Sequence, residues 1–187
     1  MGPALAVLAA LAVLVVIMYN SLARLRLLAD NAWSDIDVQL KRRHDLVPTL
    51  VASVKGHAGY EKDTLEAVVQ ARNRAMGATG PAASGSAEAT LAGSVRQLMV
   101  LAEAYPDLKA AGSFLELQRT LTDLEDHIQN ARRYYNAVTR DYNTKIGQFP
   151  SNIIAGWFKF ILREFFELEA PAEREAPKVD FENKETT

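Results

Sequence analysis

Residues 113–149, SFLELQRTLTDLEDHIQNARRYYNAVTRDYNTKIGQF, decide the fold. Phe114, Leu121, Ile128, Tyr135, Tyr142 and Phe149 recur every seven residues, with Leu117, Leu124, Ala131 and Val138 at the alternate position. That rhythm over about five heptads predicts one long helix with a coiled-coil-like seam. Ser113 and Glu116 form a capping-box pattern that would start it. Asn136 and Asn143 follow two seam tyrosines in the same register. With Asp37, Arg42 and Arg43 they read as polar residues that fix helix register through hydrogen bonds or ion pairs.

N-terminal to this stretch, Leu91, Val95, Leu98 and Ala102 mark a helix that breaks near Tyr105–Pro106. Leu65, Val68, Val69 and Arg72 mark another, from about Tyr60 to Ala75, and Gly77–Ser86 (GATGPAASGS) reads as the loop between the two. Trp33, Ile36, Leu40, Val47, Leu50 and Val54 share one helix face. Pro48 predicts a kink or break there, and Gly56 and Gly59 the end. No 20- to 50-residue repeat is present, so the chain is not a solenoid.

The first 22 residues read as a transmembrane anchor. Ala4 to Met18 carries no charged or strongly polar side chain, and with Tyr19–Leu22 it is long enough for the ~30 Å hydrocarbon core. A cleaved signal peptide would want a basic start, yet no Lys or Arg precedes the run and the helical pattern continues through Leu22, Leu25 and Leu28. Arg24 and Arg26 follow at once, so the positive-inside tendency places the N-terminus outside and the body in the cytoplasm. The predicted fold is all-α: a transmembrane helix continuing into a long antiparallel helical bundle, residues 23–148.

Residues 149–168 (FPSNIIAGWFKFILREFFEL) read as an amphipathic, aromatic-rich helix lying on a membrane surface or against protein. Lys159, Arg163 and Glu167 make its polar stripe; Ile154, Trp157, Phe158, Ile161, Phe165 and Phe166 make the other face. Residues 169–187 read as an acidic disordered tail.

Chemistry is sparse. The 187 residues include no cysteine, which excludes disulfides and thiolate chemistry, and the net charge of −2 comes with no dense basic face for nucleic acid. Lys41-Arg42-Arg43 reads as a solvated helix face. No phosphate-binding glycine loop, nucleophile elbow or zinc-protease helix motif occurs. Asp123 and His127, four apart, could share a metal ion but lack a third ligand. The expectation is a non-enzyme without metal or cofactor.

The strings YNSLARLRLLADNAWSDIDVQLKRRHDLVPTLV, VKGHAGYEKDTLEAVVQAR, AEAYPDLKA, FLELQRTLTDLEDHIQNARRYYNAVTRDYN and FPSNIIAGWF, in this order, resemble the LemA family over nearly all of Tyr19–Phe166. His44 and His57 stand where that family often has an aromatic residue. The resemblance implies a bacterial inner-membrane protein with one N-terminal anchor, an elongated cytoplasmic helical domain and no established catalytic residues. It also implies kinship with proteins of magnetosome membrane formation and an association with membrane-integral zinc metalloproteases.

The resulting expectation is a membrane-anchored scaffold or adaptor that self-associates and engages such a partner. Its contact surface would be Phe114, Leu121, Ile128, Tyr135, Tyr142, Trp157, Phe158, Ile161 and Phe165. Membrane-surface binding or remodelling by the aromatic segment is the alternative, and an enzyme with an unrecognised metal site the second.

Overall fold

No glycine or proline interrupts the chain between Pro3 and Pro48. In the computed structural model, which describes residues 2–56 and 61–166, a single helix α1 (Gly2–Lys55) accordingly runs from the apolar segment into the body. At 1.5 Å per residue it is about 80 Å long. Pro48 lies inside α1 without ending it. A proline supplies no amide to the carbonyl four residues back, here that of His44. Arg72 donates its Nε–H to that carbonyl at 2.6 Å, so the acceptor exposed by the proline is filled from a neighbouring helix.

The other elements are α2 (Lys62–Gly77), α3 (Pro81–Ala102), α4 (Pro106–Ala110), α5 (Gly112–Gly147) and α6 (Ser151–Trp157). No strand occurs among the described residues. His57, Gly59 and the expected disordered tail lie outside them. Two local expectations change. The glycine-rich loop shrinks to residues 78–80, because Pro81 takes the first position of α3, where its fixed φ suits a helix, and Gly80 turns the chain at φ 83°. The capping box at Ser113 goes unused: α4 and α5 are separated by Ala111 alone, so α5 has already begun at Gly112 and no side chain caps it.

Three stacked cores run up the rod. At the far end α1, α2, α3 and α5 form a four-helix bundle around Val47, Leu50, Val54, Val68, Leu91, Leu98 and Phe114. In the middle α1 and α5 pack through Ala32, Ile36, Leu40, Leu124, Ile128 and Tyr135, joined by Phe166. At the base Leu22 meets Ile154 and Ala155 of α6. The heptad seam of α5 is therefore buried inside the chain from Phe114 to Tyr142, with Leu121 partly so. Phe149 falls beyond the end of α5 and is 79% exposed.

A buried charge cluster joins four helices. The Arg43 guanidinium sits 3.1 Å from Glu88 of α3 and also pairs with Glu125 of α5, while His44 Nε2 lies 2.5 Å from the other Glu88 oxygen. Through its carbonyl His44 also holds Arg72 of α2. Burial pulls the Arg43 pKa below its usual value, and Glu88 partly offsets that. Removing one partner from such a cluster leaves a buried charge short of a counterion. Glu88→Ala is expected to destabilise the bundle by about 3–5 kcal/mol, read as a lower midpoint in denaturant unfolding, with α-helical circular dichroism intact below the transition.

Candidate membrane interface

No charged residue occurs from Ile146 to Phe158. Within that stretch Ser151 starts α6, its buried hydroxyl lying 2.6 and 2.9 Å from the Lys145 and Gln148 carbonyls, to either of which it can donate. Two bonds end the helix: the Phe160 amide donates to the Ala155 carbonyl (2.9 Å) and the Lys159 amide to Gly156 (3.3 Å). That is a Schellman stop, with Lys159 at φ 54° in the left-handed position usually given to glycine. The expected helix over 149–168 is therefore only Ser151–Trp157, followed by extended chain to Phe166; residues 167 and 168 lie outside the described residues.

Two asparagines account for the extension. Asn143 donates its amide to the Arg163 carbonyl (2.9 Å) and accepts from the Arg163 N–H (2.9 Å). Asn136 does the same with Phe166, at 3.0 and 2.9 Å. A primary amide carries one acceptor beside its donors, so it can satisfy both backbone groups of one extended residue. Seven helical residues rise about 10.5 Å and three extended residues about 10 Å, so the two rungs match in pitch. Tyr135 adds its hydroxyl to the Glu164 carbonyl (2.8 Å), and burial pushes its pKa up, which keeps it a donor. Phe166 is fully buried, with Trp33 6.0 Å away ring to ring, and Arg163 pairs with Asp30 and lies over Tyr142. Glu164 reaches Gly80 at the start of α3, so this strap closes the groove below the four-helix bundle.

The strap and α6 together set the base against the apolar end of α1. Ile154, Ala155 and Phe160 pack on Leu22, Met18 and Val15, and the Tyr19 ring lies 4.7 Å from Phe158 and 5.7 Å from Phe160. Val15 is seven residues before Leu22, so the base overlaps the apolar run by about 10 Å. The opposite side of the base shows Trp157 (73% exposed), Ile161 (76%) and Leu162 (65%), with Phe149, Ile153 and Phe158 also open. α1 is long and apolar enough to cross a membrane, and no residue of its most apolar window is fully buried inside the chain. Apolar surface gathered in this way at one end of a rod marks a contact with lipid or protein.

The sequence-expected residues divide between inside and outside. Phe114 and the partly buried Leu121 lie in the upper core, Ile128 and Tyr135 in the middle core, and the buried Tyr142 under Arg163 of the strap; Trp157, Phe158 and Ile161 are open, and Phe165 lies at the edge of exposure. Among the polar set, Asn136 and Asn143 pair with the strap backbone and Arg43 enters the charge cluster, whereas Asp37 and Arg42 face solvent. The basic run is thus split, Lys41 and Arg42 exposed and Arg43 buried. Asp123 and His127 are exposed and line a surface groove with Arg42, Asp45 and Thr120; among the described residues no three potential metal ligands gather. Glu88 was missed, although it falls on the stripe that Leu91, Val95 and Leu98 continue.

The LemA family model matches residues 32–181, and the chain belongs to this family. It is 30% identical over 140 residues to Protein LemA of Metamycoplasma hominis, covering 73% of this chain and 63% of that protein. It is 26% identical over 180 residues to magnetosome protein MamQ of Magnetospirillum gryphiswaldense (82% and 66%), and 25% identical over 165 to magnetosome protein MamQ 2 of Paramagnetospirillum magneticum (74% and 60%). The chain spans less than two thirds of the length of these curated relatives. None of these names denotes an enzyme, and with its exposed apolar helix the chain is a membrane-associated helical protein.

Asn143→Ala leaves the N–H and C=O of Arg163 without partners. It is expected to cost about 1–3 kcal/mol and to speed amide hydrogen exchange across residues 160–166 while the α2–α3 amides keep their protection.

Proposed function

We propose that the chain is a membrane-anchored scaffold of the bacterial inner membrane. Its N-terminus lies outside and its rod stands on the cytoplasmic leaflet, seated by α6 and the turn that follows. The observation that carries this is the packing of Ile154, Ala155 and Phe160 on Val15, Met18 and Leu22, which ties the base of the domain to the segment long enough to span. Arg24 and Arg26, just beyond that segment, favour this orientation. The α5 seam is occupied by α1, so self-association and any membrane-integral partner, a zinc metalloprotease included, meet the chain at the span and at Trp157, Phe158, Ile161 and Leu162. A second reading, remodelling of the bilayer, is supported by the same overlap with the span: apolar side chains sunk into one leaflet add area to that leaflet alone.

The chain has two tryptophans, Trp33 in the middle of the rod and Trp157 at the base. In vesicles whose acyl chains carry bromine near the headgroup end, the full chain with Trp33→Phe is expected to be strongly quenched. The Trp157→Phe chain, reporting from Trp33, is expected to keep its emission. An unquenched Trp157 would remove the membrane seat.

A further inference from the structure

Beside the base lies a cleft of about 250 Å³ between α1 and the turn after α6. Tyr19, Ala23, Arg26, Leu27 and Asp30, on one face of α1, form one wall, and Phe158 and Phe160 form the other. We propose that this cleft holds the headgroup of an anionic phospholipid, an inference that rests on the membrane seat proposed above.

Charge is the first argument. The cleft contains one acid and one base, but Asp30 is already paired with Arg163 from the strap. Arg26 makes no hydrogen bond or ion pair among the described residues, so the cleft presents a guanidinium without a counterion. A guanidinium offers paired donors that match the oxygens of a phosphodiester.

Level is the second. Arg26 is four residues past Leu22, about 6 Å further along α1. The headgroup layer occupies roughly 5–8 Å of each leaflet, so the guanidinium stands among phosphates while Tyr19 and Phe158 stand at the glycerol boundary. Below the cleft the exposed side chains of α1, Leu8, Leu11 and Val16 among them, give acyl chains a surface to follow. Free phosphate would use Arg26 and leave the aromatic walls idle.

The turn itself is the third. Lys159, between the two cleft aromatics in sequence, takes a left-handed conformation at the end of α6, a turn that brings both Phe158 and Phe160 onto the same wall. Arg24, by contrast, lies about 200° around α1 from Arg26 and does not line the cleft.

The test uses the full chain in mild detergent, with native mass spectrometry of retained phosphatidylglycerol against phosphatidylcholine. The expected result is preferential retention of phosphatidylglycerol, lowered about tenfold by Arg26→Gln and left unchanged by Arg24→Gln. A tenfold loss corresponds to about 1.4 kcal/mol, close to the lower end of what one hydrogen bond to a charged group contributes. Equal losses in the two variants would mean general surface charge and overturn the site. So would displacement of the lipid by inorganic phosphate, or the absence of any preference for the anionic lipid. The bromine quenching of Trp157, measured on the same Arg26→Gln chain, separates the two readings. Quenching that persists with lipid retention unaffected sinks the headgroup site alone, whereas quenching absent from the parent chain sinks the seat beneath it.

Discussion

Two helices packed side by side cannot close their own groove, and the lower half of this rod has only two. α2 and α3 cover α1 and α5 around Val47–Val54 and stop at Gly80, leaving the faces of Ala32, Ile36 and Tyr135 open on one side. An extended strap fills that space, and its difficulty is the backbone. Each residue brings a donor and an acceptor that must be satisfied once water is excluded. Asn136 and Asn143 meet that need at two rungs and Tyr135 at a third. Phe166 can then be buried against Trp33 with its own N–H and C=O both paired. The middle core, the strap's course and the position of the base all follow from this pairing.

The upper half answers a related constraint with charge. A proline in α1 leaves the His44 carbonyl open, and a glutamate on the apolar stripe of α3 needs a cation. Arg72 and Arg43 meet those needs, and the cluster touches α1, α2, α3 and α5 at once. Replacing such ions by hydrocarbon need not weaken a fold. What the cluster adds is a geometry that a slipped register would break, since Glu88 must face Arg43 and His44 together.

Much of this was legible in the residues. The seven-residue rhythm from Phe114 to Tyr142 announces the long helix α5, and the uninterrupted apolar run before Arg24 announces the helix that opens the chain. The asparagines were expected to fix helix register, and the structure pairs them instead with the backbone of an extended strap. FKFILREFF satisfies a helical period as well as an extended one, and only the amides of Asn136 and Asn143, distant in sequence, decide between them. Pro81 as the start of a helix was hidden by the glycines around it. The residues expected to form the contact surface divide between interior and exterior for the same reason: periodicity identifies an apolar face without saying whether the chain covers it itself.

At the membrane end these pieces constrain one another. A lone span can tilt freely within the limits of hydrophobic mismatch. Here α6 and Phe160 brace one side of α1 along Val15–Leu22, while among the described residues nothing packs on its other sides. In the membrane seat proposed above, leaning toward the brace would sink Trp157, Ile161 and Leu162 deeper, which is favourable for their apolar surface. It is stopped when Lys159, Asp30 and the strap's Arg163 reach the hydrocarbon boundary, where ions are costly. Leaning away lifts those same apolar side chains into water. Because α1 is one helix from Gly2 to Lys55, a narrow range of tilt in the proposed seat would be transmitted to the far end of the rod, and the anchor would set the direction of the domain as well as its location.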